Sequence, residues 1–289
     1  MSWIDDLNSE YKFGGMEQKL IFWNVGAFIV SIPFYYQFSF GVFTFPLWIK
    51  LSANLSALIT QPWTLISYGF FHASFFHLLF NMMVLNFAGK LFQTFFTQKQ
   101  LLGVYLLGLL VAGLGFVLAF SFFNLGLSSG LVGASGAIMA VLVATATYAP
   151  YLTIRLLLIG NVKLWQFTLV LLGIDLMQLF IENTGGHVAH LSGALFGFIY
   201  IKLLQQGTDL SKIISVIFDT LARGFGAKKS HSFKKVHRNY QQRPEKKQAK
   251  VVIKDKTQQQ IDDILDKISQ SGYDSLSAEE KEFLFKAGK

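Results

Sequence analysis

Cysteine is absent from this chain, which excludes disulfides, thiolate metal sites and cysteine nucleophiles alike. Charge is nearly as scarce where it matters. From Leu20 to Leu204 the only formal charges are Lys50, Lys90, Lys99, Arg155, Lys163, Asp175, Glu182 and Lys202. Most of these eight lie between apolar runs rather than inside them, which argues against a soluble protein. There is no HExxH motif, so the familiar helical zinc-protease site is excluded; a metal-dependent hydrolase using His72, His77, His187 and His190 is a lesser rival, and no metal or cofactor is expected. There are no duplicated halves with matched broken helices of the kind transporters show. Nor does "MSWIDDLNSEYKFGGMEQK" place a basic segment directly before an apolar core and a small-residue cleavage site, so it does not read as a cleaved signal peptide.

What remains is apolar: 52% of the 289 residues are hydrophobic and 30 are phenylalanine, enough to supply several runs of bilayer length. The pattern predicts an all-α polytopic membrane protein with six spans, at about residues 20–38, 75–96, 100–123, 133–150, 163–181 and 187–204. Lys12 and Lys19 precede the first span. Lys90 and Lys99 separate the second from the third, and Arg155 and Lys163 the fourth from the fifth. The opposite side carries only Lys50, so the positive-inside rule puts both termini in the cytoplasm. The expected setting is the bacterial inner membrane.

Two stretches break the regular pattern. The connection 40–74 is long yet apolar, and Trp48 and Trp63 suit it to headgroup depth. The fourth span, if its helix begins at Ser135 and ends before Pro150, is only about 22 Å long at 1.5 Å per residue. That is too short to cross, so "FNLGLSSGLVGA" would enter the membrane as irregular backbone, tolerable only inside protein or beside a watery cavity.

The chain divides into an N-terminal segment 1–19, a membrane core 20–204, a basic aperiodic linker 205–256 and a small soluble C-terminal hairpin 257–289. From Gln205 onward there are 17 Lys/Arg against 11 Asp/Glu. These would attract anionic lipid of the bilayer. Nucleic acid is not an expected partner, because no aromatic or motif context accompanies the charge. In the hairpin, Ile261, Ile264, Leu265 and Ile268 share one helical face and Gly272 stops the helix. "SAEE" from Ser277 then opens a second with a capping box. So small a unit suits a docking role with a partner unknown.

Polar residues inside apolar spans are functional candidates. His77 and Asn81 are four apart on one face of the second span. His190 opens the sixth, followed by Gly193 and Gly197, whose spacing permits close helix approach. Ser135 lies beside Gly133 and Gly136. Singly, each has a bland reading as packing material or interhelical glue. Together they fit acyl transfer, with Ser135 as nucleophile and His190 as base. The Ser135 amide at a helix N-terminus, with His77 and Asn81, would bind the oxyanion. His72 and His187 are expected to be structural, and Asp175 to be a buried structural acid hydrogen-bonded to backbone or another helix, with no catalytic partner near it. The economical reading is a serine–histidine dyad.

"GASG" at 133–136, "HLLFN" at 77–81 and "AHLSGALFG" at 189–197 resemble, in order and placement, the three signature regions of rhomboid intramembrane serine proteases. The resemblance spans about residues 20–204 and implies the six-helix rhomboid fold. It also implies hydrolysis of peptide bonds in or near transmembrane segments of protein substrates, with Ser135, His190, His77 and Asn81 in the roles given above. Gly133 matches the motif's first glycine, and Gly193 and Gly197 match the glycines that seat the histidine helix. Two positions depart. Met139 stands where many rhomboids carry an aromatic against the imidazole, and Thr64 replaces the arginine of a first-loop Trp-Arg pair. The competing expectation is a non-catalytic rhomboid-like protein that binds and escorts transmembrane clients.

Overall fold

A computed structural model describes residues 3–123, 130–157, 159–224 and 256–287. Most of the irregular stretch before Ser135 (124–129) and the basic segment 225–255 lie outside the described residues. The described residues form helices almost throughout. The chain divides into two compact units, Met1–Lys228 and Lys229–Lys289.

In the first unit, α1 (Trp3–Phe13) leads through Gly14 and Gly15 into α2 (Met16–Tyr35). A small antiparallel pair follows, β1 (Tyr36–Gln37) with β2 (Val42–Phe43), in the register Tyr36–Phe43. The remainder of the odd apolar connection folds as α3 (Leu55–Thr60), α4 (Thr64–Ser67) and a single 3-10 turn at Tyr68–Phe70. It is therefore structured rather than a solvated loop. Next come α5 (Phe75–Gln93), α6 (Gln98–Phe123) and α7 (Ser135–Tyr148). The hairpin of β3 (Thr153–Leu156) and β4 (Gly160–Lys163) leads to α8 (Leu164–Gln178), α9 (Thr184–Gln205) and α10 (Ser211–Gly224). The two strand pairs were not anticipated; each is only a tight reversal between helices.

Helices α2, α5, α6, α7, α8 and α9 occupy the six stretches expected to be spans. By length and composition, α5, α6 and α9 can cross a membrane, while α7 and α8 are shorter apolar helices. At 14 residues, α7 is about 21 Å long. It is buried all round: every residue from Gly136 to Ala146 is buried. A helix apolar on all faces belongs at the centre of a bundle, and its glycines and alanines let α5, α6 and α9 close around it. Gly108 of α6 faces Ala137 and Ala140, and Gly197 of α9 faces the Ala140 carbonyl. Here α8 contrasts with α7, burying only Leu164, Thr168 and Asp175.

Buried polar side chains tie the helices where apolar packing cannot. Asn24 Nδ2 donates to the Leu20 carbonyl and to Tyr105 Oη, linking α2 to α6. Gln93 at the end of α5 binds Glu17 and accepts from the Met16 amide. Tyr68 Oη donates to the Leu109 carbonyl at 2.8 Å, fixing the embedded connection to α6.

Within the stretch expected to be an aperiodic linker, Ser211–Gly224 form α10, whose start packs on α6 at Gly103. The cluster of basic residues beyond it hid the apolar repeat Ile213, Val216, Ile217. Asp209 holds this junction. Its Oδ1 accepts from the Ser211 hydroxyl at 2.6 Å, the Ser211 amide at 3.0 Å and Tyr200 Oη at 3.1 Å, and Oδ2 accepts from Gln100 Nε2 at 3.2 Å. Burial pushes the Asp209 carboxyl up, but these donors outweigh it and hold it below the ordinary carboxylate value. A depressed folded-state pKa stabilises above the unfolded value near 3.9, and that contribution is lost as pH falls through the folded value.

In the second unit, α11 (Lys256–Ser271) ends at Gly272, which has φ +78° and donates its amide to the Ile268 carbonyl. The expected capping box opens α12 (Ala278–Ala287): Ser277 N–H donates to Glu280 and the Glu280 amide donates to Ser277 Oγ. Ile264 and Leu276 form its small buried centre, and Lys267 bridges to Glu280. Of the expected face, Leu265 remains exposed.

Removing the charged acceptor at 209 should free α10. In Asp209→Asn, amides of residues 212–220 should exchange hydrogen roughly tenfold faster, as loss of one charge-assisted hydrogen bond of about 1.5 kcal/mol implies. Unchanged protection by hydrogen-exchange mass spectrometry would show that apolar packing alone holds the helix.

Candidate active site

The site is built where α7 begins. Its first amides have no intrahelical acceptor, and among the described residues neither the Ser135 amide nor Ser135 Oγ makes a hydrogen bond. Gly133, at φ +125°, turns the chain into the helix. Only glycine fits, because a Cβ there would also lie 2.8 Å from His77 Cε1 and 2.9 Å from its Nε2. The backbone before the serine is pinned from the embedded connection. Leu51 and Leu131 exchange backbone hydrogen bonds at 3.0 and 2.8 Å, and the Gly133 amide donates to the Tyr68 carbonyl at 3.0 Å.

A cavity of about 830 Å³ opens over this point, and Ser135, His77, Asn81, Met139, Asp175 and His190 all line it. The catalytic candidates from three helices thus converge. His77 Nδ1 accepts from the Ala73 amide at 3.4 Å, which leaves the ring proton on Nε2, the nitrogen beside Gly133. Asn81 Nδ2 donates to the His77 carbonyl at 2.8 Å, stiffening that turn. Gly136, Gly193 and Gly197 lie in the α7–α9 seam. A Cβ at Gly193 would overlap the Gly136 carbonyl oxygen, and one at Gly136 would sit 3.2 Å from the Ala189 carbonyl oxygen. This contact carries His190 to the mouth of the same cavity.

Two corrections follow. Asp175 is buried and bonded to another helix as expected, but its partner is the candidate base: its Oδ1 lies 2.8 Å from His190 Nδ1 and 2.7 Å from His187 Nδ1, between α8 and α9. His187, expected to be structural at the edge of its span, shares that carboxylate. The signal was present as a lone acid in the middle of an apolar span, a position that is costly unless partnered. What sequence spacing could not supply was the antiparallel packing of α8 on α9, which sets residue 175 opposite 187 and 190. The second correction is Lys50. Counted in the sequence only as a topology marker, it reaches the cavity wall beside Gly130.

The departures in the first loop have local substitutes. Trp63 Nε1 donates to the Trp48 carbonyl at 2.9 Å, and buried Thr64 donates to the Gln61 carbonyl at 2.7 Å. His72 is fully buried with its ring 5.0 Å from that of His77, edge to face, and stands away from the cavity lining.

Chemically, a serine at a helix N-terminus, an imidazole held at Nδ1 on the wall of the same cavity, and clustered N–H donors suit nucleophilic attack on a carbonyl.

Residues 59–207 match the family model described as the Rhomboid domain, a range that contains every candidate residue. Residues 252–286 match a family of unknown function (DUF6576). The chain is also similar to Presenilin-associated rhomboid-like protein A, mitochondrial, of Danio rerio: 30% identical over 161 residues, covering 53% of this chain and 40% of the relative. The matched region is thus less than half of that relative's length.

The seam makes a stability prediction. Gly193→Ala should destabilise the core by about 1–3 kcal/mol through overpacking. Gly173→Ala, where a Cβ meets nothing within 4 Å, should be neutral or slightly stabilising. Thermal unfolding in detergent compares them; equal midpoints would mean that α7 and α9 part without cost.

Proposed function

Because this chain belongs to the rhomboid family, we propose that it is an intramembrane serine protease, hydrolysing a peptide bond in or near a transmembrane segment of a protein substrate. The observation that carries this reading is the convergence of Ser135, His190, His77 and Asn81 on one cavity at the start of α7.

In this mechanism Ser135 Oγ attacks the scissile carbonyl while His190 Nε2 takes its proton. Asp175 holds the His190 Nδ1–H, fixing the tautomer in which Nε2 is the acceptor. The developing oxyanion receives the Ser135 amide, His77 Nε2–H and an Asn81 N–H. His190 then returns the proton to the leaving amine, and the acyl group stays on Ser135. Water, deprotonated by the same nitrogen, hydrolyses that ester. The dyad thereby gains a positioning residue. No Ser135–His190 hydrogen bond forms in the resting site, and such bonds commonly tighten only once substrate is bound.

A substrate helix is internally hydrogen-bonded, so it must unwind before its carbonyl is exposed. Its route passes α8 and the 179–183 connection, because α8 buries so little of itself. The integral-membrane setting follows from the family and the apolar helices. Six crossings with both termini cytoplasmic, and a site open to the other face, are supported by Lys90, Lys99, Arg155 and Lys163 on one set of connections. The Danio rerio relative is named as mitochondrial, so a bacterial inner membrane is part of this proposal and not a property taken from relatives.

The test is fluorophosphonate labelling of the detergent-solubilised protein. Wild type should label, and Ser135→Ala and His190→Ala should not. Asp175→Asn should slow labelling by roughly a hundredfold, since an amide can stabilise the wrong tautomer, and Asp175→Glu should restore part of the rate. A folded wild type that never labels would sink the protease reading in favour of client binding.

A further inference from the structure

Asp175 receives two imidazole nitrogens on one oxygen, and neither the dyad nor the oxyanion site needs the second. The ligand-capable atoms of Asp175, His187 and His190 all lie within 4.8 Å of one another. The four-histidine metal set that the sequence allows (His72, His77, His187 and His190) is not assembled. Among the described residues the group that could hold an ion is this two-histidine, one-carboxylate set.

We propose that Asp175, His187 and His190 form a binding site for zinc or a similar divalent transition metal, and that its occupancy switches the hydrolase off. The inhibitory part rests on the protease reading above. Zinc takes imidazole nitrogen and carboxylate oxygen at about 2.0–2.2 Å in tetrahedral array, which sets ligand atoms roughly 3.3 Å apart. The Nδ1–Oδ1 separations of 2.7 and 2.8 Å need to open by about half an ångström, and the two histidine ligand nitrogens, within 4.8 Å of each other, must come to the same spacing. Asp175 and His190 face the cavity, so an ion has an aqueous route and a water can fill the fourth position.

The consequence for catalysis follows from the ring. At rest Nδ1 carries the proton and Nε2 is the acceptor. A metal on Nδ1 occupies that lone pair, so in each neutral ring the proton moves to Nε2 with no net release. Nε2 of His190 then donates and can no longer take the proton of Ser135. At the same time the metal draws Asp175 away from its positioning role.

The experiment uses the full chain in detergent with cobalt and zinc as probes. Cobalt should give visible d–d absorption of a tetrahedral nitrogen–oxygen site, displaced by zinc, and His187→Gln should weaken it roughly a hundredfold or more. Zinc should suppress fluorophosphonate labelling of wild type, with recovery in EDTA. His187→Gln, normalised to its own rate in EDTA, should lose that response. Absence of cobalt absorption in wild type, or equal zinc inhibition of His187→Gln, would overturn the site. Cobalt binding that depends on His187 in a protein that never labels would keep the site and remove the protease reading instead.

Discussion

The close approach of α7 and α9 is the constraint on which the site depends. In a bilayer there is little hydrophobic gain in bringing two helices together, so contact has to come from shape. Gly193 accepts the Gly136 carbonyl oxygen where a methyl group would stand, and Gly197 does the same for Ala140. That contact sets which turn of α9 lies against the first turn of α7, and therefore which side chain faces the serine. The short length of α7 follows from the same arrangement. A helix enclosed on all sides need not span the bilayer, and its exposed N-terminus can sit at the floor of a cavity instead of at its surface.

The embedded connection supplies the second half of that floor. It is ordered by backbone bonds to the segment preceding Ser135 and by Tyr68, whose carbonyl holds Gly133 while its hydroxyl holds α6. One residue therefore fixes both the turn before Ser135 and the helix beside it. The exposed Trp48 and Trp63 are joined through the indole of the latter. The loop is thus braced at its far end without the arginine that related sequences use.

Much of this was legible in the sequence because membrane helices announce themselves by length and composition. The six helical stretches, the short fourth helix, the structured connection and the capping box at Ser277 could all be read from local pattern. Ser135, His77, Asn81 and His190 could be read as a set because each is polar where apolar residues are easier to place. The partnership of Asp175 with His187 and His190 could not, since it depends on how two antiparallel helices are rotated against each other. The helix Ser211–Gly224 was missed for a different reason: its apolar face is diluted by the basic residues that follow it. The place of Lys50 at the cavity wall was not legible, because a count of charges by loop takes no account of where a flexible side chain ends.

The carboxylate between α8 and α9 also acts as a latch. Asp175 is one of three residues that α8 buries, so its bonds to His187 and His190 also help to keep α8 in place. A movement of α8 wide enough to admit a substrate helix pulls on those bonds. On the proposed protease reading, access and proton transfer are then coupled: the opening that admits a substrate draws the positioning carboxylate away from His190, and hydrolysis is slow until it closes. Under that proposal, a peptide that slips in and out while α8 is displaced meets a base without its positioning carboxylate, and selectivity arises from the time a substrate can hold its place until the latch re-engages.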